Sequence, residues 1–116
     1  MSRSSQDIDL FQGDDLRVIC TVRDQSGALV DISEAQSIRY AVARGVNAVP
    51  VIEKSLNNGI ELANSSAFFF DLDSAETLPL SGGYYHEAEV VTDQGLTYTT
   101  LSGSIRFRSA LIEAGT

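Results

Sequence analysis

The side chains best suited to acid–base or nucleophilic chemistry are few in this 116-residue chain, which has one histidine and one cysteine. A catalytic histidine needs an orienting partner and a nucleophile or substrate within reach. His86 is followed by Glu87 and Glu89, and in a regular strand both acids lie on the face opposite the imidazole. No local partner is therefore visible, and a structural role for His86 is the favoured interpretation.

Cys20 shares strand parity with Leu16, Val18 and Val22, which predicts a small buried hydrophobic residue. A nucleophilic cysteine requires an electropositive and partly exposed setting. A single cysteine also excludes an internal disulfide and a cysteine-based metal site. The sequence thus predicts a structural thiol at this position.

Two groups of acids could be interpreted as ligands for a divalent cation: Asp14 with Asp15, and the set Asp71, Asp73 and Glu76. Calcium takes six to eight oxygen ligands, usually from a loop with a recognisable spacing and a central glycine. Neither group has that spacing or length. The simpler interpretation is that Asp73 or Ser74 caps a single helical turn near 73–78.

Four aromatic residues could form a binding platform for a sugar or a peptide: Tyr84, Tyr85, Tyr98 and Phe107. Their alternation fits a core and a cross-strand stack at least as well, and the core is favoured. Tyr84 follows Gly82 and Gly83 at the start of a late strand. That position also suits a tyrosine corner, in which the hydroxyl bonds to backbone.

Composition narrows the possible functions further. The chain contains no glycine-rich phosphate loop, Ser-His-Asp arrangement or zinc-ligand spacing. Its net charge of −8 opposes binding to nucleic acid or to an anionic membrane surface, because such binding depends on clustered Lys and Arg. No catalytic, cofactor-binding or metal-binding residue is assigned, and we expect a non-enzymatic protein with no cofactor.

Period-two alternation dominates the sequence and predicts strands with one buried face. The inward positions form five sets: Leu16, Val18, Cys20, Val22; Ile38, Tyr40, Val42; Phe68, Phe70, Leu72; Tyr84, His86, Ala88, Val90; and Leu101, Gly103, Ile105, Phe107. Two further strands are predicted, one over 49–54 and one containing Ile60 and Leu62. Pro50 indicates an edge strand or a strand start. Gly103 inside a strand indicates a bulge or the close approach of another backbone.

Seven or eight short strands, separated by turn signals, predict a single all-β domain. The expected architecture is an antiparallel β-sandwich of immunoglobulin-like size, with a jelly roll as the alternative. The predicted organisation is a flexible N-terminal arm over 1–7, the sandwich over 8–108 and a C-terminal tail over 109–116. The polar N-terminus lacks the apolar stretch of a signal peptide, so we expect synthesis and folding in a reducing cytoplasm.

The order of the turn and strand signals resembles a known group of proteins. The segments that carry the resemblance are FQGDDL at 11–16, VRDQSGALVDI at 22–32, NGI at 58–60, SAETLPLSGGY at 74–84, EVVTDQG at 89–95 and LSGSI at 101–105. Together they resemble the small immunoglobulin-like β-sandwich virion proteins of tailed bacteriophages. They are similar to the module that begins some baseplate upper proteins, and to stand-alone head or tail accessory subunits.

This resemblance covers residues 8–108 and implies a role in assembly, without catalytic residues to carry over. It implies a structural subunit on the capsid or tail, acting as decoration, cement, or a neck or baseplate adaptor. Its expected partners are other virion proteins, and a homo-oligomer within the particle is expected. We expect it to be made in the bacterial host cytoplasm and located in the virion. The predicted contacts are the two termini and the edge strand that Pro50 marks.

Two other hypotheses remain open from the residues alone. The first is a carbohydrate- or receptor-binding sandwich, because tyrosines and acids cluster between Gly82 and Glu89. The second is a small hydrolase that uses His86.

Overall fold

The computed structural model describes residues 6–109. These residues form eight strands and one short helix: β1 (Ile8–Phe11), β2 (Leu16–Thr21), β3 (Ser37–Ala43), β4 (Ile52–Leu56), β5 (Gly59–Asn64), β6 (Ala67–Leu72), α1 (Ser74–Thr77), β7 (Gly82–Val91) and β8 (Thr97–Arg108). The all-β class and the alternating pattern of the main strands are confirmed.

Turn residues set where the strands end. Asn57, which follows β4, and Gly59, the first residue of β5, have φ angles of 66° and 102°. Asparagine and glycine reach this left-handed region at the lowest cost, which is why the Asn-Asn-Gly signal marks the turn. Gly95 has a φ angle of 82° in the connection from β7 to β8, where the Gly95 amide donates to the Thr92 carbonyl. The chain thereby reverses and the two longest strands pair.

The strands are hydrogen-bonded in the order β1-β8-β7-β3-β4-β5-β6-β2. The link between β4 and β5 consists of only two residue pairs, and there the sheet folds over on itself. We call β1, β8, β7, β3 and β4 the five-stranded half, and β5, β6 and β2 the three-stranded half. The ring of Tyr40 on β3 stacks on that of Phe70 on β6, with centroids 4.0 Å apart. The two halves therefore face each other across a common core.

Strand pairing decides between the two predicted topologies. In one half β2 pairs with β6 and β6 with β5, while in the other β3 pairs with β7 and β7 with β8. Those neighbours correspond to the B-E-D and C-F-G strands of immunoglobulin domains. The fold is an immunoglobulin-like β-sandwich. It is not antiparallel throughout, because β1 pairs in parallel with β8 along one edge, and the short pairing of β4 with β5 is also parallel.

The core lies between the halves, on the faces that the alternation predicted. Twelve large side chains are less than 2% exposed: Tyr40, Phe68, Phe70, Phe107, Ile32, Ile38, Ile60, Leu72, Leu101, Ile105, Val22 and Val42. Burying one such aliphatic or aromatic side chain contributes about 1.5–3 kcal/mol. The predicted inward sets on β3 and β6 are thereby confirmed, the β7 set is buried as well, and the β8 set is buried apart from the half-buried Gly103. In the β2 set Cys20 and Val22 are buried, whereas Leu16 and Val18 are half-buried.

Two local predictions need correction. The strand predicted over 49–54 begins at Ile52, and β4 lies between β3 and β5, so of the two alternatives for Pro50 the edge strand is wrong and a position just before the strand start is correct. Proline has no amide hydrogen, and the ladder begins after it, where the Val51 amide donates to the Val42 carbonyl. The bulge is at Thr100, between the residues paired with Ala88 and Glu89, rather than at Gly103.

The short helix was predicted correctly. Asp73 is the N-cap, its side chain accepts from the Glu76 amide, and the Glu76 side chain accepts from the Asp73 amide, which forms a capping box. Within residues 6–109, no helix is long and apolar enough to cross a membrane. Most of the predicted arm at 1–7 and nearly all of the predicted tail at 109–116 lie outside the described residues, and the domain division stays a prediction.

Candidate functional site

His86 lies in the core and is held at both ring nitrogens. It is 2% exposed, its Nε2 lies 2.6 Å from the Gln6 carbonyl oxygen, and its Nδ1 lies 3.0 Å from the Tyr40 hydroxyl. A carbonyl oxygen can only accept, so Nε2 carries the hydrogen and Nδ1 accepts from the Tyr40 hydroxyl. Burial lowers the pKa of His86, against the opposing effects of the Gln6 carbonyl and the Asp7 carboxylate. The neutral imidazole of His86 on β7 therefore joins that strand to Tyr40 on β3 and to Gln6 in the segment before β1.

Gly103 lets the N-terminal segment reach this histidine. A Cβ atom at position 103 would lie 2.6 Å from the Gln6 carbonyl oxygen and 2.8 Å from a carboxylate oxygen of Asp7. The Gln6 amide donates to the Ser102 carbonyl, and the Ser104 amide donates to Asp7. The prediction of a close backbone approach at Gly103 is confirmed, and the approaching backbone is that of Gln6.

Cys20 is buried, as predicted. Desolvation raises the pKa of its thiol to about 11, so the nucleophilic thiolate is scarce at neutral pH. The side chain contributes to the core as a small apolar group.

The acids of the calcium hypothesis each have a structural contact. Asp71 forms a two-pronged ion pair with Arg17, at 2.8 and 3.0 Å, and this hydrogen bonding lowers the pKa of Asp71. The Asp15 side chain accepts from the Ser74 amide at 2.7 Å, and the Asp14 side chain accepts from the Phe11 amide at 3.2 Å. Asp71 therefore joins β6 to β2, Asp15 joins the start of β2 to α1, and Asp14 closes the turn after β1.

The acids of α1 also serve the fold. Glu76 closes the capping box with Asp73. Its two carboxylate oxygens also accept hydrogen bonds from Lys54 Nζ, at 2.8 and 3.0 Å. Thr77 is fully buried, and its hydroxyl donates to the Asp14 carbonyl at 2.9 Å. Within residues 6–109, no group of three or more His, Cys, Asp or Glu side chains is arranged to hold a metal ion.

The four aromatics of the platform hypothesis do not share one exposed surface, because Tyr84 and Phe107 are buried and Tyr85 is exposed. Tyr84 packs edge-on against Phe107 with centroids 5.5 Å apart, and the Arg44 guanidinium lies 4.1 Å above the Tyr84 ring. Among the described residues the Tyr84 hydroxyl makes no hydrogen bond, so the prediction of a tyrosine corner is wrong. Tyr85 points the other way and is 56% exposed, while Tyr98 is half-buried against the core.

Tyr85 borders a groove on the outer face of the five-stranded half. The floor is a grid of cross-strand neighbours from β3, β7 and β8: Ala43, Tyr85 and Ser104 in one row, and Ala41, Glu87 and Ser102 in the next. Short side chains at four of these six positions leave the space open. The loop between β3 and β4 forms one wall through Val46, Ala48 and Pro50, and the groove volume is about 540 Å³. We call it the Tyr85 groove.

The wall of this groove is unusually apolar for a loop. Val46 is 91% exposed and Val49, in the same loop, is 85% exposed. Exposing such side chains together with an aromatic ring is unfavourable in water, and clustered exposed apolar surface marks interaction sites. This loop and Tyr85 are the strongest candidate binding feature of the described chain.

A second, charged groove adjoins the first and shares Ala41, Pro50 and Glu87 with it. Glu53 on β4 and Glu87 on β7 are the two cross-strand neighbours of Ala41 on β3. One row further along, Arg39 is bound by Glu89 at 2.8 Å. The outer face thus changes from apolar at Tyr85 to acidic at Glu53 and Glu87.

Sequence reasoning missed this surface, although two signals were present. The segment 45–51 carries three valines and a proline, and Asn47 is its only polar side chain, which is unusual for a loop. Part of it was assigned to a strand, so the exposure of its valines was not foreseen. Tyr85 was grouped with the core aromatics, whereas its parity with Glu87 and Glu89 places it outside.

Comparison with known proteins gives similarity in shape only. No family model matches the chain, and no curated protein sequence matches it. Among solved structures, the fibronectin(III)-like modules of Clostridium thermocellum CbhA are similar at 10% identity, covering 93% of this chain and 91% of theirs, with a TM-score of 0.45. Murine CRIg is similar at 11% identity over 95% of this chain and 93% of its own, with a TM-score of 0.41. Similarity at this level carries no information about function.

Proposed function

We propose that this chain is a non-enzymatic structural subunit of a tailed-phage virion, an accessory β-sandwich that binds the capsid or tail surface through the outer face of its five-stranded half. An immunoglobulin-like sandwich often serves as a binding or structural module. The link to virions rests on the resemblance carried by residues 8–108.

The observation that carries the proposal is the exposed apolar surface of the Tyr85 groove. Tyr85 and Val46 line this groove and are each more than half exposed, and Val49, in the same loop as Val46, is 85% exposed. A contact there would remove apolar area from water at about 25 cal/mol per Å². A subunit that occupies many equivalent positions on a particle needs only modest affinity at each contact, since multivalent attachment strengthens binding.

The state of the reactive side chains supports binding rather than catalysis. His86 is enclosed with both nitrogens occupied, and the Cys20 thiol is buried with a raised pKa. His86 is among the residues that line the Tyr85 groove, but it is only 2% exposed and both of its ring nitrogens are engaged within the protein, so neither nitrogen is open to a substrate. The net charge of −8 would keep free subunits soluble before assembly.

The test is to locate the full-length protein in purified particles of the source phage or prophage. Mass spectrometry would show whether the chain is present, and cryo-electron microscopy would show where. Density spread over the capsid lattice identifies a decoration or cement subunit, and density in a ring at the neck or baseplate identifies an adaptor. Absence from every particle would refute the proposal.

Substitutions in the groove wall connect this location to the surface described above. A double Val46→Ser, Tyr85→Ser variant, at two exposed residues that line the groove, is expected to fold normally and to lose most of its incorporation into particles. Leu29→Ser and Leu96→Ser are the matched controls, because these leucines are more than half exposed but do not line the groove. Equal incorporation of all three proteins would place the contact elsewhere.

A second candidate function, a carbohydrate- or receptor-binding module, is favoured by one feature of the same groove. An exposed ring, Tyr85, lies beside the Glu87 carboxylate and the Ser102 and Ser104 hydroxyls, and sugars bind to such combinations of aromatic and hydrogen-bonding groups. A glycan array with and without calcium tests it. Binding that Tyr85→Ala abolishes would support this function, and no signal across the array would remove it.

A further inference from the structure

Two carboxylates on the outer face are held apart by a small side chain. Glu53 and Glu87 pair with Ala41 from opposite sides, on β4 and β7. Adjacent strands are about 4.8 Å apart, so the two carboxylate-bearing backbones are separated by about 10 Å. The Ala41 methyl group fills little of the space between them, which leaves room for the head of a long side chain.

The negative charge at this position is only partly balanced. Among the described residues, Glu87 forms no ion pair. The nearest cation in the grid, Arg39, is bound by Glu89 at 2.8 Å and is attracted by Glu53 at longer range. Lys54 also borders the charged groove, but its ammonium is bound by Glu76 at 2.8 Å. A positively charged group placed beside Ala41 would therefore meet two carboxylates.

The acidic position is continuous with the apolar one. Ala41 and Glu87 line both the charged groove and the Tyr85 groove. One row along, Ala43 and Tyr85 offer apolar surface, and Val46 borders it. A ligand lying across the two rows would meet carboxylates at one end and an aromatic and aliphatic surface at the other.

We infer that this face binds a segment of a partner protein in which a lysine or arginine is adjacent to an aliphatic residue, the cation lying between Glu53 and Glu87 and the aliphatic side chain against Tyr85. This inference rests on the proposed function, and it specifies the chemistry of the partner. The stem of a lysine or arginine packs on apolar surface while its charged head reaches the acids. Complementary charge sets the orientation of the segment and accelerates its association.

A second copy of the chain fits this face poorly. A two-fold symmetric contact brings the same patch of both subunits together. Glu53 and Glu87 of one copy would then face the same acids of the other. The net charge of −8 on each chain adds further repulsion. A different partner protein that presents a basic residue avoids both the facing of like carboxylates and the repulsion between two strongly acidic chains.

The test uses full-length, ¹⁵N-labelled protein and three blocked seven-residue peptides. Each peptide has two valines flanking a central lysine, glutamate or glutamine. The lysine peptide is expected to shift the amide resonances around Ala41 and Tyr85, to bind at least fivefold more tightly than the glutamate peptide, and to weaken as salt is raised.

Variants decide whether these carboxylates are responsible. The Glu53→Gln, Glu87→Gln double variant is expected to bind the lysine peptide about threefold to tenfold more weakly than the wild type, as befits two exposed ion pairs. Glu61→Gln is the matched control, because Glu61 is an exposed acid on β5 in the three-stranded half. It should leave the affinity unchanged.

Three results would overturn the inference: equal binding of the lysine and glutamate peptides, shifts confined to another surface or absent, or shifts at this face that follow protein concentration without peptide. The last would identify a second copy as the occupant. Particle incorporation separates this inference from the proposed function. If the wild type and the double Gln variant enter particles equally, the partner chemistry is wrong and the virion role stands. If the wild type is absent from particles but binds the lysine peptide here, the virion role is wrong and the cation-binding face stands.

Discussion

His86 Nε2 lies 2.6 Å from the carbonyl oxygen of Gln6, 80 positions earlier in the chain. This contact ties the segment before β1 to His86 in the middle of β7. On β8, the cross-strand neighbour of His86 is Gly103, which lies against the same Gln6 carbonyl. The only histidine of the chain thus holds the N-terminal segment in place, and this contact can be tested separately from any binding function.

Gly103→Ala should dislodge the N-terminal segment. The added Cβ would meet the Gln6 carbonyl oxygen at 2.6 Å, so backbone must move, and overpacking of this kind costs about 1–3 kcal/mol. Urea unfolding monitored by circular dichroism measures the loss. Gly83→Ala on the neighbouring strand is the control, since a Cβ there meets nothing within 4 Å. Equal stability of the two variants would contradict the close packing at Gly103.

Tyr40→Phe should destabilise the protein through His86. The substitution keeps the ring stacked on Phe70 but removes the hydroxyl that donates to His86 Nδ1. A buried acceptor left without its donor costs about 1–3 kcal/mol in the free energy of unfolding. Tyr85→Phe removes an exposed hydroxyl and should change stability by less than about 0.5 kcal/mol. If Tyr40→Phe left the free energy of unfolding unchanged, the hydrogen bond from the Tyr40 hydroxyl to His86 would contribute nothing to stability.

Stability should fall between neutral and mildly acidic pH because of His86. Burial lowers the pKa of this histidine in the folded state below its ordinary value of 6.5. Below pH 6.5 the unfolded chain therefore takes up a proton that the folded chain excludes, and stability is lost as the pH falls towards the folded pKa.

Chemical denaturation at pH 7.5 and 5.5 measures this loss, with His86→Gln as the comparison. The wild type should lose more stability than the variant over this interval. The carboxylates with lowered pKa values, such as Asp71 and Asp9, titrate below 3.8 and do not interfere. An identical loss in both proteins would assign the pH dependence to other groups.

The two ion pairs at Lys54 and Arg17 should differ in strength because they differ in burial. The Lys54 side chain is 11% exposed where it binds Glu76, whereas Arg17 and Asp71 are 58% and 51% exposed. Lys54→Met should cost about 1–3 kcal/mol, since it leaves a partly buried carboxylate without its partner. Arg17→Met should cost less than about 1 kcal/mol. Denaturant unfolding midpoints of the two variants, measured at low and high salt, test this ranking. A larger loss of stability for Arg17→Met than for Lys54→Met would contradict it.

The Cys20 thiol should be unreactive in the folded protein. It is buried, and desolvation raises its pKa to about 11. A thiol-reactive chromophore at pH 7.5 should label the native protein far more slowly than the protein in guanidinium chloride, where labelling should reach one thiol per chain. Rapid labelling of the native protein would mean that β2 is open to solvent.

Local chemistry made much of the fold predictable. The alternation of Ile38, Tyr40 and Val42 specified which face of β3 is buried, because the side-chain period of a strand is two. The spacing of Asp73 and Glu76 specified the helix cap, since both bonds of a capping box form within one turn. These patterns need no information about distant residues.

The sequence by itself determined most of the longer strands, the buried faces of β3, β6 and β7 and the burial of Cys20, whereas β1 and the start of β4 were not predicted. Only the tertiary structure decided that His86 meets Gln6 and Tyr40, and that Glu53 and Glu87 flank Ala41 across three strands. The physical reason is that contacts between distant segments depend on strand order and register, which follow from packing of the whole core. The outer-face surface arises from these long-range pairings, so no local pattern specified it.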